Sequence, residues 1–416
     1  MRRITGKHNP QLRMRVFFLT NGTRGDAHTS VAAASSAQAA GYAVTVAMPE
    51  SFRALAEAHG LNFTPIQGNP SDLFARGAAP EFAPGGGLRA SLAYLQAARP
   101  VYAHMLHTAW RACQSAEVLV ISLPTLWCAS IAEKLNIPCV ALMGQPLMRT
   151  RFFASALWPG RAPKIFNALT HRLVEWALWL PWRGVVNEWR TRTLGLPPLT
   201  SLMDDLLARR APFVYAFSSA LMPRPADWPA HHILAGLLQL PQPPWSPPPE
   251  LENFLTAGPP PVYIGLGSMG SGGARPLIEE AVARAGVRAV VPQETGCTAS
   301  KNILPVGDVP HAQLFPRLAA VAHHGGIGTL GNTLRAGVPH IILPVASDQF
   351  FWAERLKNLG VAAYVLPRHT LTAPALAQAL RATASNATLH QRAQALAPIF
   401  TAEDGGKGLV RVLKGL

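Results

Sequence analysis

His323-His324-Gly325-Gly326-Ile327-Gly328-Thr329 decides how this chain is read. The run follows residues 319–323, whose apolar, β-branched character predicts a strand, and precedes 330–336, predicted as a helix. Glycines at such a turn let a diphosphate approach the backbone closely. The unpaired N–H groups of the first helical turn point at it, and the helix dipole adds favourable partial charge. His324 can offer an imidazole N–H and Thr329 a hydroxyl. No acidic cluster stands beside them, so no metal is implied. The plainer reading is a tight glycine turn with no ligand.

Outward from this run the same alternation repeats. Behind it come a strand at 262–266, a helix at 276–285 and a strand at 288–291. Ahead lie a strand at 340–343, a helix at 350–359 and a strand at 362–366, then helices to the end. A second series starts near residue 14, with strands at 15–20, 43–47, 62–65, 118–122 and 138–142. Helices are predicted at 29–40, 50–59, 104–110 and 129–135, with a Gly/Pro-rich loop at 78–87. Alternation of this kind predicts parallel sheets with helices on both faces. Between the series lies the proline-dense stretch 239–249, which can continue neither a helix nor a central strand. The expected organisation is a basic extension at 1–13, an acceptor-side Rossmann-like domain at 14–238 and a proline-rich linker at 239–252. A donor-side Rossmann-like domain at 253–398 and a final helix at 399–416 complete it. The fold class is α/β, two doubly wound parallel-sheet lobes facing across a cleft.

The chain has 416 residues, 49% hydrophobic and 14% charged, which excludes disorder, collagen and coiled coil. Thirty-seven Lys and Arg against 22 Asp and Glu leave +15, a charge that attracts nucleic acid, an anionic bilayer or a phosphorylated small molecule. The basic residues are scattered and carry no recognition motif, so nucleic acid is not expected. Four cysteines (113, 128, 139, 297) without CxxC spacing predict a reducing compartment and no structural zinc. The apolar run 16–19 is too short for a signal peptide, and the uncharged stretch 118–132 falls short of the ~20 residues of a spanning helix. The expected localisation is cytoplasmic, with peripheral contact at the inner face of a membrane. That contact is assigned to 151–192, which holds five of the ten tryptophans (158, 176, 179, 182, 189) and seven basic residues, the composition of a surface lying on anionic lipid. The bland alternative packs Trp176 and Trp179, at helical spacing, into the core or an acceptor pocket.

Three further segments line up with the glycine run. Ser347-Asp348-Gln349 follows a strand, so Asp348 and Gln349 face the cleft where a sugar's vicinal hydroxyls would lie, with helix N-capping as the alternative for Asp348. Gly265-Leu266-Gly267-Ser268-Met269-Gly270 fits GxGxxG, but Ser271-Gly272-Gly273 prolongs the loop and no acidic residue follows at the distance a dinucleotide site needs. Ser268 reads better as a loop hydroxyl reaching the diphosphate. In the first series, Asn21-Gly22-Thr23-Arg24-Gly25-Asp26-Ala27-His28 follows the first strand. It is read either as a second phosphate loop or as the place of a general base, Asp26 or His28, with Asp26 as N-cap of the 29–40 helix as the structural alternative. No Gly-x-Ser-x-Gly turn supports a serine nucleophile.

Residues 323–329, Ala336-Gly337-Val338-Pro339, Asp348-Gln349, Trp352-Ala353-Glu354-Arg355 and Val309-Pro310-His311 together resemble the donor half of the GT-B glycosyltransferases. The branch is that of sterol glucosyltransferases, glycopeptide-antibiotic glycosyltransferases and rhamnolipid-type rhamnosyltransferases. Gly22-Thr23-Arg24-Gly25-Asp26 and Pro261-Val262-Tyr263-Ile264-Gly265-Leu266-Gly267-Ser268 match as well, while 70–240 is only loosely similar. The resemblance implies inverting, metal-independent transfer of a hexose from a UDP- or dTDP-sugar to a hydroxyl of a hydrophobic acceptor such as a sterol, lipid, hydroxy-fatty acid or polyketide aglycone. No cofactor besides the donor is implied. His324, Gly326, Gly328 and Thr329 would hold the diphosphate with help from Ser268. Val309 and His311 would border the base, and Asp348 and Gln349 would grip the sugar. Asp26 inherits the role of base. Family members carry a proline three residues later where this chain has Thr29, so His28 shares or replaces that role. Two rival readings are a sugar-nucleotide epimerase of the same fold and a non-catalytic membrane-surface protein.

Overall fold

The computed structural model describes residues 13–68, 88–160, 162–241, 245–267, 274–345 and 348–416. Thirteen strands among them form two parallel sheets. The first contains β1 (Arg15–Leu19), β2 (Ala43–Pro49), β3 (Asn62–Ile66), β4 (Val118–Ile121), β5 (Cys139–Met143), β6 (Phe213–Tyr215) and β7 (His232–Leu234), in the order β3-β2-β1-β4-β5-β6-β7. The second contains β8 (Val262–Gly265), β9 (Ala289–Pro292), β10 (Ile303–Val306), β11 (Ala320–His323), β12 (His340–Ile342) and β13 (Ala362–Val365), in the order β10-β9-β8-β11-β12-β13. Helices cover both faces, so Val118–Ile121 and Ala320–His323 are buried at every position and read as continuous apolar runs rather than alternating ones.

Each order reverses once, between β1 and β4 in the first sheet and between β8 and β11 in the second. A crevice opens beyond the carboxyl ends of strands at such a reversal, because the two connections leave on opposite faces. The segments singled out in the sequence follow these strands: Asn21–His28 runs on from β1, Gly265–Gly267 from β8 and His323–Thr329 from β11.

Element boundaries differ from the sequence reading where glycine stands in a first helical turn. The helix after β1 spans Arg24–Ala39, not 29–40, and Thr23 rather than Asp26 is its N-cap. The helix after β11 spans Ile327–Ala336, so Gly328 lies inside it. Glycine's low helix propensity argues against both starts, but capping at Thr23 and packing of the apolar faces prevail. One helix, Leu88–Ala112, carries Pro100 internally, and the sequence reading captured only 104–110 of it. The loop read at 78–87 and most of the basic extension lie outside the described residues.

The chain ends by returning to the first sheet. Leu409, Val412 and Leu413 of the helix Gly405–Lys414 pack with Val16, Phe18, Val31 and Ala34. The crossing is pinned by Glu403, which accepts from the Ser218 hydroxyl at 2.5 Å and the Leu237 N–H at 3.3 Å. Arg335 adds donations to the carbonyls of Leu237 (2.8 Å) and Phe400 (3.1 Å).

Three of the five tryptophans of 151–192 are interior, which corrects the assignment of these rings as a group to a lipid surface. Trp179, Trp182 and Trp189 are buried, with Trp182 against Tyr102 at 3.9 Å between ring centroids and Trp179 donating to the Thr200 carbonyl at 2.8 Å. Arg190 is buried too, bonded to Glu133 and Ser130 at 2.7 Å each. Trp176 alone of the set is prominently exposed.

Leu409→Ala would empty a fully buried position in the returning helix and cost about 2–5 kcal/mol. Urea unfolding followed by tryptophan fluorescence should register the loss, whereas an unshifted midpoint would mean that the helix is not seated there.

Candidate active site

At the second reversal, β11 ends in His323 and the chain turns through His324, Gly325 and Gly326 into the helix Ile327–Ala336. Gly326 is the N-cap, and the first intrahelical bond runs from the Leu330 N–H to its carbonyl at 2.9 Å. The N–H groups of Ile327, Gly328 and Thr329 therefore have no intrahelical acceptor. A Cβ at Gly328 would meet nothing within 4 Å, so there is room for a ligand over the turn. Gly325 adopts φ +100°, and a Cβ there would lie 3.3 Å from the backbone carbonyl of Gln349. Both conditions exclude a side chain and hold the turn flush against the next helix.

Beneath the turn lies a histidine relay. The Gly325 N–H donates to His323 Nδ1 at 3.1 Å, so the His323 proton sits on Nε2. That proton points to His340 Nδ1 at 2.9 Å and leaves the His340 proton on Nε2, buried with no partner among the described residues. Burial pushes both imidazoles below their usual range, His340 to about 3, so the relay is neutral. His324 is different: its ring lies in the cleft against Gly267 and Gly326, where a Cβ at Gly267 would come within 2.7 Å of it. Burial lowers its pKa as well, and its Nδ1 is buried with no hydrogen-bond partner among the described residues. A buried imidazole nitrogen left unpaired beside a free helix N-terminus is what an anionic ligand would complete.

Asp348 and Gln349 stand at the start of the helix Gln349–Asn358, both nearly buried. Asp348 occupies the N-cap position without capping through its side chain; its carboxylate instead accepts from the Trp352 indole N–H at 2.9 Å. Gln349 accepts the Val345 N–H at 2.7 Å. Trp352 is fully buried against Phe217 of the first lobe. Ser347 and Ser268 lie outside the described residues.

Across the cleft, Asp26 sits at the third position of its helix in a capping box, accepting from the Thr23 N–H at 2.8 Å and hydroxyl at 2.9 Å. Desolvation outweighs these bonds and raises its pKa. The N-cap role read for Asp26 is thus replaced by a bond back to the true cap, one turn earlier. His28 is half-buried and held below the usual imidazole range by burial, with Asp308 opposing the shift. Arg24 reaches across to Glu294 at 3.9 Å and Asp308 at 3.8 Å. His311 stacks on Phe315 at 4.5 Å and its Nε2 lies 3.2 Å from the Tyr263 hydroxyl; burial pushes its pKa down to about 4. Val309 is half-buried and packs toward Leu314 and Phe315. The helices Arg24–Ala39 and Ile327–Ala336 touch each other. Asp26, His28, His311, His324 and the Ile327 turn therefore share one cleft. Sequence reasoning missed the His323–His340 pair, Arg24 as a bridge and Trp352 as the group that orients Asp348. Arg24 carried a signal, since it opens a helix at the sheet edge; His340 carried none, being one residue of an apolar strand.

Residues 16–153 match the glycosyltransferase family 28 N-terminal domain, and residues 289–414 match the erythromycin biosynthesis protein CIII-like C-terminal domain. Over 404 residues the chain is 34% identical to the O-mycaminosyltylonolide 6-deoxyallosyltransferase of Streptomyces fradiae, covering 94% of this chain and 95% of that protein. This chain belongs to the GT-B glycosyltransferases. It is also 30% identical, over 98% of its length, to the sterol 3-beta-glucosyltransferase of Komagataella phaffii, of which it spans 35%. Among solved structures, the kitacinnamycin glycotransferase superposes with a TM-score of 0.69 at 18% identity, covering 97% of this chain and 98% of that one. The likeness confirms the two-lobed fold anticipated above.

In this glycosyltransferase, Gly325→Ala would force a side chain into a left-handed turn already in contact with Gln349. Donor affinity measured by calorimetry should fall at least about tenfold while the melting temperature shifts little. His340→Leu leaves the His323 Nε2 proton buried without an acceptor, and thermal unfolding should show a loss of about 1–3 kcal/mol.

Proposed function

We propose that this glycosyltransferase moves a hexose, with inversion and without a metal, from a UDP- or dTDP-sugar to a hydroxyl of a hydrophobic acceptor. One observation carries the reading. Two helix N-termini meet across the cleft, one presenting a carboxylate with a raised pKa and the other free peptide N–H groups beside an unpaired imidazole nitrogen. The departing diphosphate gains negative charge as the glycosidic bond breaks. The Ile327, Gly328 and Thr329 N–H groups, the Thr329 hydroxyl and His324 would meet that charge in place, without reorganising. Fixed donors of this kind supply the stabilisation that a divalent cation provides elsewhere. Asp26, ionised, takes the proton of the incoming alcohol as its oxygen attacks the anomeric carbon on the face opposite the leaving group, which inverts the centre. A carboxylate whose pKa is raised by burial is the stronger base. His28, neutral at pH 7, is the second candidate for the same proton.

Asp348 and Gln349 would hold the sugar hydroxyls, with Trp352 fixing the carboxylate. Val309 and His311 would border the nucleobase. The relatives' names speak of glucosyl and 6-deoxyallosyl transfer and of sterol and O-mycaminosyltylonolide acceptors.

Asp26→Asn should reduce turnover by roughly a hundredfold to ten-thousandfold with donor affinity retained; unchanged turnover would remove Asp26 from the mechanism. In the wild type kcat/KM should fall on the acid side at a pH above 3.8, because the protonated carboxyl cannot accept a proton and burial raises the value at which it protonates. His28→Gln should keep that limb if Asp26 is the base and abolish it if His28 is. Conversion of the donor sugar to its epimer in the absence of any alcohol would favour the epimerase reading instead.

A further inference from the structure

We propose that the outer face of the helix Asn167–Trp179 docks on an anionic phospholipid bilayer. The inward side of the helix seats Trp179 in the core and otherwise presents polar groups that are engaged: Asn167 donates to the Arg151 carbonyl at 2.9 Å, Thr170 accepts the Ser155 N–H at 2.9 Å, and His171 lies 3.1 Å from the Phe153 carbonyl. Its outward side is apolar. Ile165, Leu169, Leu173, Trp176 and Leu180 follow one another at steps of three or four residues, with exposures of 84, 48, 43, 61 and 47%. Seven of the twelve large hydrophobic residues exposed among the described residues fall within 165–180, and five of them make this stripe. A continuous apolar stripe in water is costly, and it marks a surface that is covered when the protein works.

Charge identifies what covers it. Lys164, Arg172 and Arg183 border the stripe and are exposed. The nearby acids are engaged elsewhere, Glu175 with Arg149 at 2.5 Å and Glu188 with Arg192 at 2.5 Å. A second copy of this chain would bring the same cations face to face, on a protein that already carries +15. Anionic headgroups instead meet the cations while the apolar rings and branches enter the acyl boundary, and an indole such as Trp176 sits at that depth. Among the described residues no helix is long and apolar enough to cross a membrane, so the contact is peripheral. The helix adjoins the cleft through its inward side: His171 is bonded to the segment after β5, and Phe153 of that segment packs on Phe351 of the second lobe at 5.3 Å. Docking there would bring the acceptor side of the cleft to the bilayer, a consequence that rests on the hydrophobic acceptor proposed above; the docking itself does not.

The test is co-sedimentation of the full chain, without donor or acceptor, with vesicles of phosphatidylcholine plus phosphatidylglycerol and with vesicles of phosphatidylcholine alone. Binding to the anionic vesicles, weakened by salt, is expected. The triple variant Leu169→Ser, Leu173→Ser, Trp176→Ser and the triple variant Lys164→Glu, Arg172→Glu, Arg183→Glu should each lose at least about tenfold in vesicle affinity. Both should keep the melting temperature and the donor affinity. Wild-type protein left in the supernatant, or either variant binding as before, would overturn the proposal. So would light scattering that finds a dimer broken by the serine substitutions, since the face would then belong to a second copy. Vesicle binding that persists in an enzyme found to glycosylate only water-soluble alcohols would leave the docking intact and remove the acceptor class.

Discussion

A strand that ends at a helix N-terminus leaves peptide N–H groups with no acceptor in the chain, and the donor lobe is organised around keeping three of them free. Gly326 caps the helix with backbone alone, because a Ser, Asp or Asn at that position would turn a side-chain oxygen onto the same N–H groups. Gly325 turns the chain through φ +100° and rests on Gln349, so the glycine turn and the Asp348–Gln349 pair are seated against each other. The other helix of the cleft is built in the opposite sense. Thr23 and Asp26 close a capping box there, which consumes the dipole's pull and leaves a carboxylate in place of an anion site.

The histidines of the cleft extend the same electrostatic design. A cationic imidazole next to a helix N-terminus would be repelled in the free enzyme, and burial keeps His311, His323, His324 and His340 neutral. Neutral rings still donate one proton each, and the relay from Gly325 through His323 to His340 spends that of His323 on rigidity. His324 Nδ1 and His340 Nε2 both lack a partner among the described residues, and of the two only the His324 ring lies against Gly267 and Gly326 at the turn. Lobe contacts serve the same end. Trp352 orients Asp348 while packing on Phe217 of the opposite lobe, so this carboxylate is seated by both halves of the molecule.

Much of this was legible in the residues because the decisive features are local. Alternation of apolar runs with helical stretches announces parallel sheets, and glycines between a strand and a helix announce a tight turn into a helix N-terminus. What the residues concealed were contacts closed by distant parts of the chain. Five tryptophans beside seven cations suggested a lipid surface at 151–192, yet three of those rings pack inside and Arg190 is buried on Glu133. The apolar face that does reach solvent is made mostly of Leu and Ile, whose spacing resembles that of an ordinary core helix. Only the polar contacts of Asn167, Thr170 and His171 reveal which side faces in.

From the amino-acid order alone come the α/β class, the two series of strands and helices, the glycine turn before Ile327 and the acid-bearing segment after β1, because each depends on neighbours a few residues apart. The tertiary structure alone decided that His323 leans on His340, that Arg24 bridges to Glu294 and Asp308, and that Asp348 answers to Trp352. It also decided that the last helix returns to the first sheet. These depend on burial and on which face each helix presents, and both are settled by packing across the whole chain rather than by any local run.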